Sequence, residues 1–470
     1  MSDDDSPRES DPVEESEPVA SGSSDGSGPG APDGSGPGSR LFDFDDNDRP
    51  RWLNDLKIIA VATVLVYLLF IVLGALAGLG FNGIMSTLQQ VTFFSVAFAL
   101  IVLGLNLHWG YTGLFNIGVA GFMAVGVYTM AFLTAAPDAT PAGLGLPIPI
   151  GIVGGMIAAG LVGLVAALPA LRVRADYFAI VTLGLSEIIR LALLSGSLRS
   201  IEVGDTVYGT GGGSGIQYPP VDTIIPWLLE RPVIGELGEV LFEVGGAVGI
   251  QRSVILGGLY TAVLIVFVGL FYLFLSRIAN SPYGRILKAI REDELAAKSL
   301  GKDTDRAKIV AFVVGCSLMG LAGMLWMGSR SFVSPDSFMP IITFYIFVAL
   351  IVGGAGSNTG SVIGGFAFAA FLWEGPRFVR SILNANLNLR SPPTIYDAFV
   401  ELASGDLTPL VGYLVGSLDE LRFVLVGVVL ILLMLWRPDG LLGHRVEAAS
   451  AIDITSRRRT VGTDGGDRDE

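Results

Sequence analysis

Apolar residues fall in long unbroken runs along this chain, separated by polar stretches rather than alternating with them. A helix that crosses a bilayer needs about 20 predominantly apolar residues, because its backbone must satisfy itself without water. Ten runs approach that length: about 56–79, 84–107, 113–135, 147–171, 177–197, 253–277, 308–329, 340–356, 359–380 and 421–437. The pattern predicts an all-α polytopic membrane protein with about ten transmembrane helices. The eighth run is short, and only a few residues separate the second from the third. Broken or re-entrant helices are expected at both places.

Lys and Arg near the span ends set the expected orientation. Arg49, Arg51 and Lys57 precede the first run, and Arg172 and Arg174 follow the fourth. Eight basic residues lie between the sixth and seventh, from Arg277 to Lys308, and Arg437 and Arg445 follow the tenth. Ten crossings put all four groups on one side. This predicts a multi-pass protein of the cytoplasmic membrane, with both termini in the cytoplasm and the loops 198–252 and 381–420 outside.

The charged stretch 277–308 interrupts two almost uniformly apolar runs. Ser281-Pro282 reads as a helix start, since Ser can cap and Pro fits the first helical position. Gly301 reads as a stop, and Asp303 or Thr304 as the cap of the next helix. Tyr283, Leu287, Ile290, Ala297 and Leu300 recur at roughly helical spacing, giving one apolar face on a charged segment. Two readings stand at this point: a solvated loop, or a surface helix built to dock a soluble partner.

Composition changes the picture at the ends. The chain is 51% hydrophobic yet carries a net charge of −14. Residues 1–50 hold fourteen Asp or Glu against three Arg, a net of −11, which leaves −3 for the rest. That head is also rich in Ser, Gly and Pro, has too little apolar surface to offset the entropy of ordering, and is predicted to be a disordered acidic tail. It is not a signal peptide, being acidic and without an early apolar core. The expected organisation is therefore a tail over 1–50, a transmembrane domain over 51–445 and a polar C-terminal tail over 446–470; solvation or docking are both open for the tails. With 25 Arg, only 5 Lys and a pI near 4.7, the composition suits a halophilic source.

Candidate chemistry is sparse. The single Cys316 and the two histidines, His108 and His444, exclude a disulfide framework and make a metal site or His-based dyad improbable on count alone. No phosphate-binding loop occurs, because Gly301-Lys302 is followed by Asp and lacks an upstream Gly at the right spacing. No catalytic residue, metal or cofactor is expected, and no nucleic-acid partner.

The segment Glu294-Leu-Ala-Ala-Lys-Ser-Leu-Gly301, preceded by Gly284-Arg285 and by Ala289-Ile-Arg-Glu-Asp293, resembles the cytoplasmic coupling loop of ABC-importer permeases. More narrowly it is similar to the branched-chain amino-acid permease family, the inner-membrane subunits of high-affinity importers. Four further segments match in the family's order: Leu105 to Phe122, Asp176 to Arg190, Thr210 to Gly215 and Val352 to Gly356. The resemblance covers roughly residues 50–445. It implies that ATP hydrolysis resides on a separate cytoplasmic ABC ATPase, and that partners include a second related permease and an extracytoplasmic solute-binding protein. It further implies that the ATPase receives a coupling helix around Gly284 to Gly301. Arg285, Arg291, Glu292, Asp293 and Glu294 would then be polar contacts, and Ala296, Ala297 and Gly301 small surfaces that permit close docking. Other versions of the loop place Glu directly before the Ala pair, whereas Leu295 intervenes here.

Two glycine-rich stretches form a second constellation: Gly110, Gly113, Gly118, Gly121 and Gly126, and Gly353, Gly354, Gly356, Gly360, Gly364 and Gly365. Small residues let membrane helices approach closely, and Gly also permits unwinding beside a pathway. Plain packing is one reading. A solute route is the other, supported by nearby Asn106, Thr112 and Asn116, since Asn at membrane depth needs a partner or water. Gln89 and Gln90 are further pathway candidates. Gly110 with Gly121-Phe122 and Gly354 with Gly365-Phe366 share an eleven-residue spacing, a hint of an internal repeat. Glu187 and Arg190 stand three apart on one helix, either as a structural pair or as a solute contact. The loop Thr210 to Gly215 reads as a flexible linker or, by the resemblance, as a surface facing the binding protein.

The expected function is a permease subunit of an ATP-driven importer for branched-chain or related amino acids. A permease for urea or short amides shares the same motifs. An ion-coupled secondary transporter would need membrane-embedded carboxylates, for which Glu187 and Glu374 are the candidates.

Overall fold

The computed structural model describes residues 51–170, 175–386, 392–403 and 405–442. The predicted tails 1–50 and 446–470, with Arg49, Arg172, Arg174, Arg445 and His444, lie outside the described residues. The chain divides into two units, Met1–Asn54 and Asp55–Glu470, and the membrane architecture is that of the second.

The first half contributes α1 (Arg51–Leu76), α2 (Phe81–Leu105), α3 (Val119–Thr134), α4 (Ile148–Ala170) and α5 (Ala175–Leu194). A long connection follows, with α6 (Gly196–Arg199), the hairpin β1 (Ile201–Val203) and β2 (Thr206–Tyr208), β3 (Ile216–Gln217), α7 (Ile224–Leu229) and α8 (Pro232–Ala247). The second half holds α9 (Arg252–Ala279), α10 (Pro282–Glu292), α11 (Glu294–Ser299), α12 (Thr304–Met327), β4 (Phe332–Val333), α13 (Pro340–Gly353), α14 (Asn358–Ala367), α15 (Gly375–Asn386), α16 (Ile395–Ala403), α17 (Thr408–Gly416) and α18 (Leu418–Trp436). Among the described residues, eight helices are long and apolar enough to cross a membrane, and the shorter apolar helices Val119–Thr134 and Arg422–Trp436 occupy the third and tenth predicted runs. The all-α polytopic reading stands.

Burial ranks the helices. Over an 18-residue apolar stretch of each, 89% of the residues are buried in Phe81–Tyr111 and 72% in Thr304–Met327, against 17% in Asn54–Leu76. The least buried of the three is the most hydrophobic, so the centre is marked by small and aromatic residues rather than by hydropathy. A Cβ on Gly126 of α3 would stand 2.7 Å from the backbone of Gly320 of α12, and one on Gly365 of α14 would stand 2.7 Å from Ala99 of α2. These helices touch backbone to backbone, which requires glycine there. Around them Phe98 packs on Phe368 at 5.1 Å and on Trp326 at 6.0 Å.

Both places expected to be broken are broken. α2 runs on through a π-helical turn, Asn106–Tyr111, and the chain then leaves helix until α3 begins at Val119. α3 alone is about 24 Å long at 1.5 Å per residue, short of a ~30 Å hydrocarbon core. α13 stops at Gly353, where Gly354 has φ 103°, and α14 restarts at Asn358 with Ser357 as its cap.

The long connection is laced down rather than a free linker. Thr210 Oγ1 donates to the Leu193 carbonyl at 2.7 Å, and Ile216 of β3 pairs with Val333 of β4. Tyr218 Oη donates to the Met327 carbonyl at 2.8 Å.

Candidate functional site

α9 is about 42 Å long at 1.5 Å per residue, so the laced connection and the charged segment 277–308 lie at opposite ends of the bundle. At the charged end the chain folds as the caps predict, with one correction. Ser281 Oγ accepts from Gly284 N at 3.2 Å and Asp303 Oδ1 accepts from Arg306 N at 3.0 Å. The single helix expected up to Gly301 is two helices, α10 and α11, divided at Asp293. Its carboxylate accepts from Leu295 N at 2.9 Å and Ala296 N at 3.0 Å, so an N-cap stands where continuous helix was expected. The division redirects the apolar face. Leu287, Ile290 and Ala297 are buried, but Leu300 is 78% exposed and Leu295 is 76% exposed.

The division also sorts the nine charged or small residues, Gly284 included, that the resemblance assigns to a partner. Arg285, Glu292, Ala296 and Gly301 are exposed. Gly284 is buried, because a Cβ there would stand 2.6 Å from the Ala279 carbonyl oxygen. Glu294 turns back to α12, accepting from Lys308 Nζ at 2.7 Å and from Lys298 Nζ at 3.1 Å. Partial burial opposes ionisation of Glu294, but the hydrogen bonds from Lys308 and Lys298 outweigh it and hold its pKa below the ordinary carboxylate value.

Arg291 is exposed as a residue, but one end of its guanidinium reaches inward. Its Nη1 donates to the Gly110 carbonyl at 2.6 Å, while its Nε and Nη2 hold Glu292 at 3.1 and 2.6 Å. A Cβ on Gly113, at φ 75°, would stand 3.1 Å from the Arg291 side chain, and one on Gly356, at φ 87°, 3.1 Å from Nη1. The guanidinium therefore sits where the two helix breaks meet.

Buried amides complete that meeting point. The backbone N–H of Gly356 can only donate, so Asn106 Oδ1 is its acceptor at 2.8 Å, and the amide orientation of Asn106 follows. Asn106 Nδ2 then donates to Asn358 Oδ1 at 3.1 Å, which also accepts from Tyr111 Oη at 2.9 Å. Asn358 Nδ2 reaches Ser276 Oγ of α9 at 3.0 Å. On the other break, Thr112 Oγ1 donates to the Leu107 carbonyl at 2.8 Å, and Asn116 Oδ1 accepts from Gly118 N at 2.9 Å. His108 Nε2 faces the Phe312 carbonyl at 3.0 Å and must donate to it, which leaves Nδ1 to accept from Asn116 Nδ2 at 3.1 Å. Its tautomer is fixed by its neighbours. The arrangement holds no nucleophile with a base and, among the described residues, no group of His, Cys, Asp or Glu placed to bind a metal. Its capacity is mechanical: it ties the charged segment to the ends of the helices at the two breaks.

Of the sequence-predicted pathway residues, Asn106, Thr112 and Asn116 come together here and are buried. Gln89 stands apart on α2, donating to Thr261 Oγ1 at 3.4 Å, and Gln90 is exposed. Glu187 is held by Arg190 Nε at 2.9 Å, and Arg190 Nη1 reaches Asp336 at 3.2 Å. Sequence reasoning missed Tyr111, Ser276 and Asn358, and also Asp55, a buried carboxylate that accepts from Tyr272 Oη at 2.8 Å. The shared eleven-residue glycine spacing pointed to both breaks, as did the short eighth run and the narrow gap between the second and third.

A bundle of apolar, span-length helices with two interruptions joined to a charged segment has the architecture of a polytopic membrane protein. Residues 87–373 match the family described as "Branched-chain amino acid transport system / permease component", and the chain belongs to it. It is 30% identical over 348 residues to the high-affinity branched-chain amino acid transport system permease protein LivM of Escherichia coli (strain K12), covering 74% of this chain and 68% of that one. To the probable permease protein LivM of Methanocaldococcus jannaschii it is 24% identical over 375 residues, 74% of this chain and 90% of the relative. The probable LivH of the same organism is 25% identical over 279 residues, 59% and 77% of the two chains. No solved structure matches the chain.

Proposed function

We propose that this protein is the permease subunit of an ATP-binding-cassette importer that moves branched-chain or similar aliphatic amino acids across the cytoplasmic membrane. A separate cytoplasmic ATPase docks on α10 and α11, a second related permease completes the membrane portion, and an extracytoplasmic binding protein delivers the solute. Both chain termini lie in the cytoplasm. The observation that carries this reading is Arg291, whose guanidinium donates to Gly110 at the end of the first broken helix and lies beside Gly356 in the second break.

The division of labour follows from exposure. Leu295 and Leu300 are large apolar side chains left in water, and with Ala296, Gly301, Arg285 and Glu292 they form the surface offered to the ATPase. Asp293 and Glu294 stiffen that surface from within by capping α11 and pinning it to α12. Movement of the docked segment is passed on by Arg291 to Gly110 and Gly356, where glycine lets the backbone rearrange. The buried amide of Asn106 exchanges partners as the route opens, while the Thr112 hydroxyl and the Asn116 amide hold the first break in shape. The two carboxylates the sequence offered to an ion-coupled alternative are each in an ion pair, Glu187 with Arg190 and Glu374 with Arg377 at 3.3 Å.

Uptake by vesicles holding the assembled importer tests the proposal. Leucine, isoleucine and valine should accumulate with ATP clamped and ionophores present, and urea should not. Accumulation of urea alone would move the substrate to short amides, and collapse on adding an ionophore would replace the ATP-driven mechanism with an ion-coupled one.

A further inference from the structure

The last described residues do something that neither transport nor the coupling segment accounts for. After α18 ends at Trp436, the chain turns sharply, with Gly440 N donating to the Arg437 carbonyl at 3.0 Å, and runs against the end of α13. Leu441 N donates to the Val352 carbonyl at 2.9 Å, and Leu442 N to the Gly353 carbonyl at 3.0 Å. The last carbonyls of a helix have no partner within it. Those of Val352 and Gly353 are buried residues' carbonyls, so another segment or water must supply donors. Here the donors come from a strap at the far end of the chain.

Contact is as close as two backbones allow. A Cβ on Gly440, which has φ 80°, would stand 2.6 Å from Gly354 Cα and Gly354 N. Gly354 itself, at φ 103°, is the first residue out of helix at this break. The same break is held elsewhere by Asn106 through Gly356 and lies beside Arg291. Leu441 points away, 44% exposed, so its backbone rather than its side chain makes the attachment.

We propose that Pro438 to Leu442 is a positioning strap for transport: it latches the α13–α14 break in the arrangement described, so that the break opens only when the coupling segment moves. The proposal rests on reading that break as a moving part of the permease. The strap sets the resting position, and Arg291 delivers the displacement.

The test compares Leu441→Pro, which deletes the N–H given to Val352, with Leu441→Ala, which keeps it. Each is made in a Cys316→Ser chain with Ala355→Cys, purified in full length, and the labelling rate of residue 355 by a water-soluble maleimide is measured. Leu441→Pro should label at least fivefold faster, and Leu441→Ala at the parent rate. In the assembled importer Leu441→Pro should hydrolyse ATP without solute and lose at least tenfold in uptake, whereas Leu441→Ala keeps both. Truncation after Leu442 retains the strap and should behave as the parent. Equal labelling of the Pro and Ala variants would overturn the latch. So would faster labelling with full, solute-dependent uptake, because the strap would then hold the break to no purpose in transport. If Leu441→Pro does not accumulate, Gly440→Ala, which presses one methyl on Gly354, is read by the same two measurements. Failure of the parent to take up any branched-chain amino acid would refute the substrate reading alone, since the labelling comparison does not depend on it.

Discussion

The two helix breaks look alike in sequence and differ in how their backbones are satisfied. The first, Thr112 to Gly118, is largely self-sufficient: Gly113 N finds Trp109, Leu114 N finds His108, and Gly118 N finds the side chain of Asn116. Only Ile117 N reaches outside, to Thr182 Oγ1 at 3.0 Å. The second, Gly354 to Ser357, closes Gly354 N on Leu350 and Ser357 N on Gly354, but Gly356 N and the carbonyls at the end of α13 take partners from distant segments. Asn106 serves Gly356 from 250 positions away, and Leu441 and Leu442 serve the end of α13. A break that closes its own hydrogen bonds keeps its shape whatever its neighbours do. A break that depends on three neighbours takes the shape they impose. The second is thus the one through which movement outside the membrane alters the interior.

Substitution at the joint itself should have the largest effect. Gly110→Val sets side-chain atoms against Asn106 Oδ1 and within 2.6 Å of Gly356 N, with no flexible neighbour to yield. Overpacking of this kind costs about 3 kcal/mol. The folded fraction recovered by gel filtration should fall sharply, and both breaks should lose protection in hydrogen exchange. Full recovery would mean that the breaks do not meet.

Asn116→Ala and Asn106→Ala separate the two breaks. Each leaves a buried backbone N–H without its acceptor, at a cost of about 2 kcal/mol. Asn116→Ala should lower the melting temperature yet preserve uptake per folded molecule, because it weakens the self-contained break. Asn106→Ala should lose a similar amount of stability and, in addition, about tenfold in uptake. Equal transport by the two variants would erase the distinction between the breaks.

The smallest effect concerns α11. The folded-state pKa of Glu294 is depressed below its ordinary 4.5, so its ion pairs contribute fully above that value. Their contribution is lost as pH falls through the depressed pKa. Amide exchange over Glu294–Ser299, corrected for its intrinsic rate, should therefore accelerate below about pH 4.5. Glu294→Gln should show the faster exchange already at neutral pH and little change on acidification.

How much of this was legible beforehand depends on the reach of each interaction. Apolar runs report on the local environment, so the spans, the broken third run and the short eighth run could be read directly. Ser281 and Asp303 act within three residues of themselves, and their caps were equally plain. Asp293 was not, since in a run of charges an N-cap and a surface carboxylate look the same. Arg291 lies in the same run and reads as solvated, yet its partner Gly110 is 181 positions away. The strap 438–442 was hidden for a similar reason: it acts through backbone N–H groups, which leave no mark in the side-chain pattern.

The most direct measurement of the central claim is the behaviour of Arg291→Ala in the assembled importer. Arg291 is assigned here to the interior joint rather than to the ATPase surface. The variant should reach normal membrane abundance and still co-purify with the ATPase, but lose uptake and solute-stimulated ATP hydrolysis together. Loss of co-purification would place Arg291 at the partner interface, and wild-type uptake at matched expression would show that no displacement passes through it.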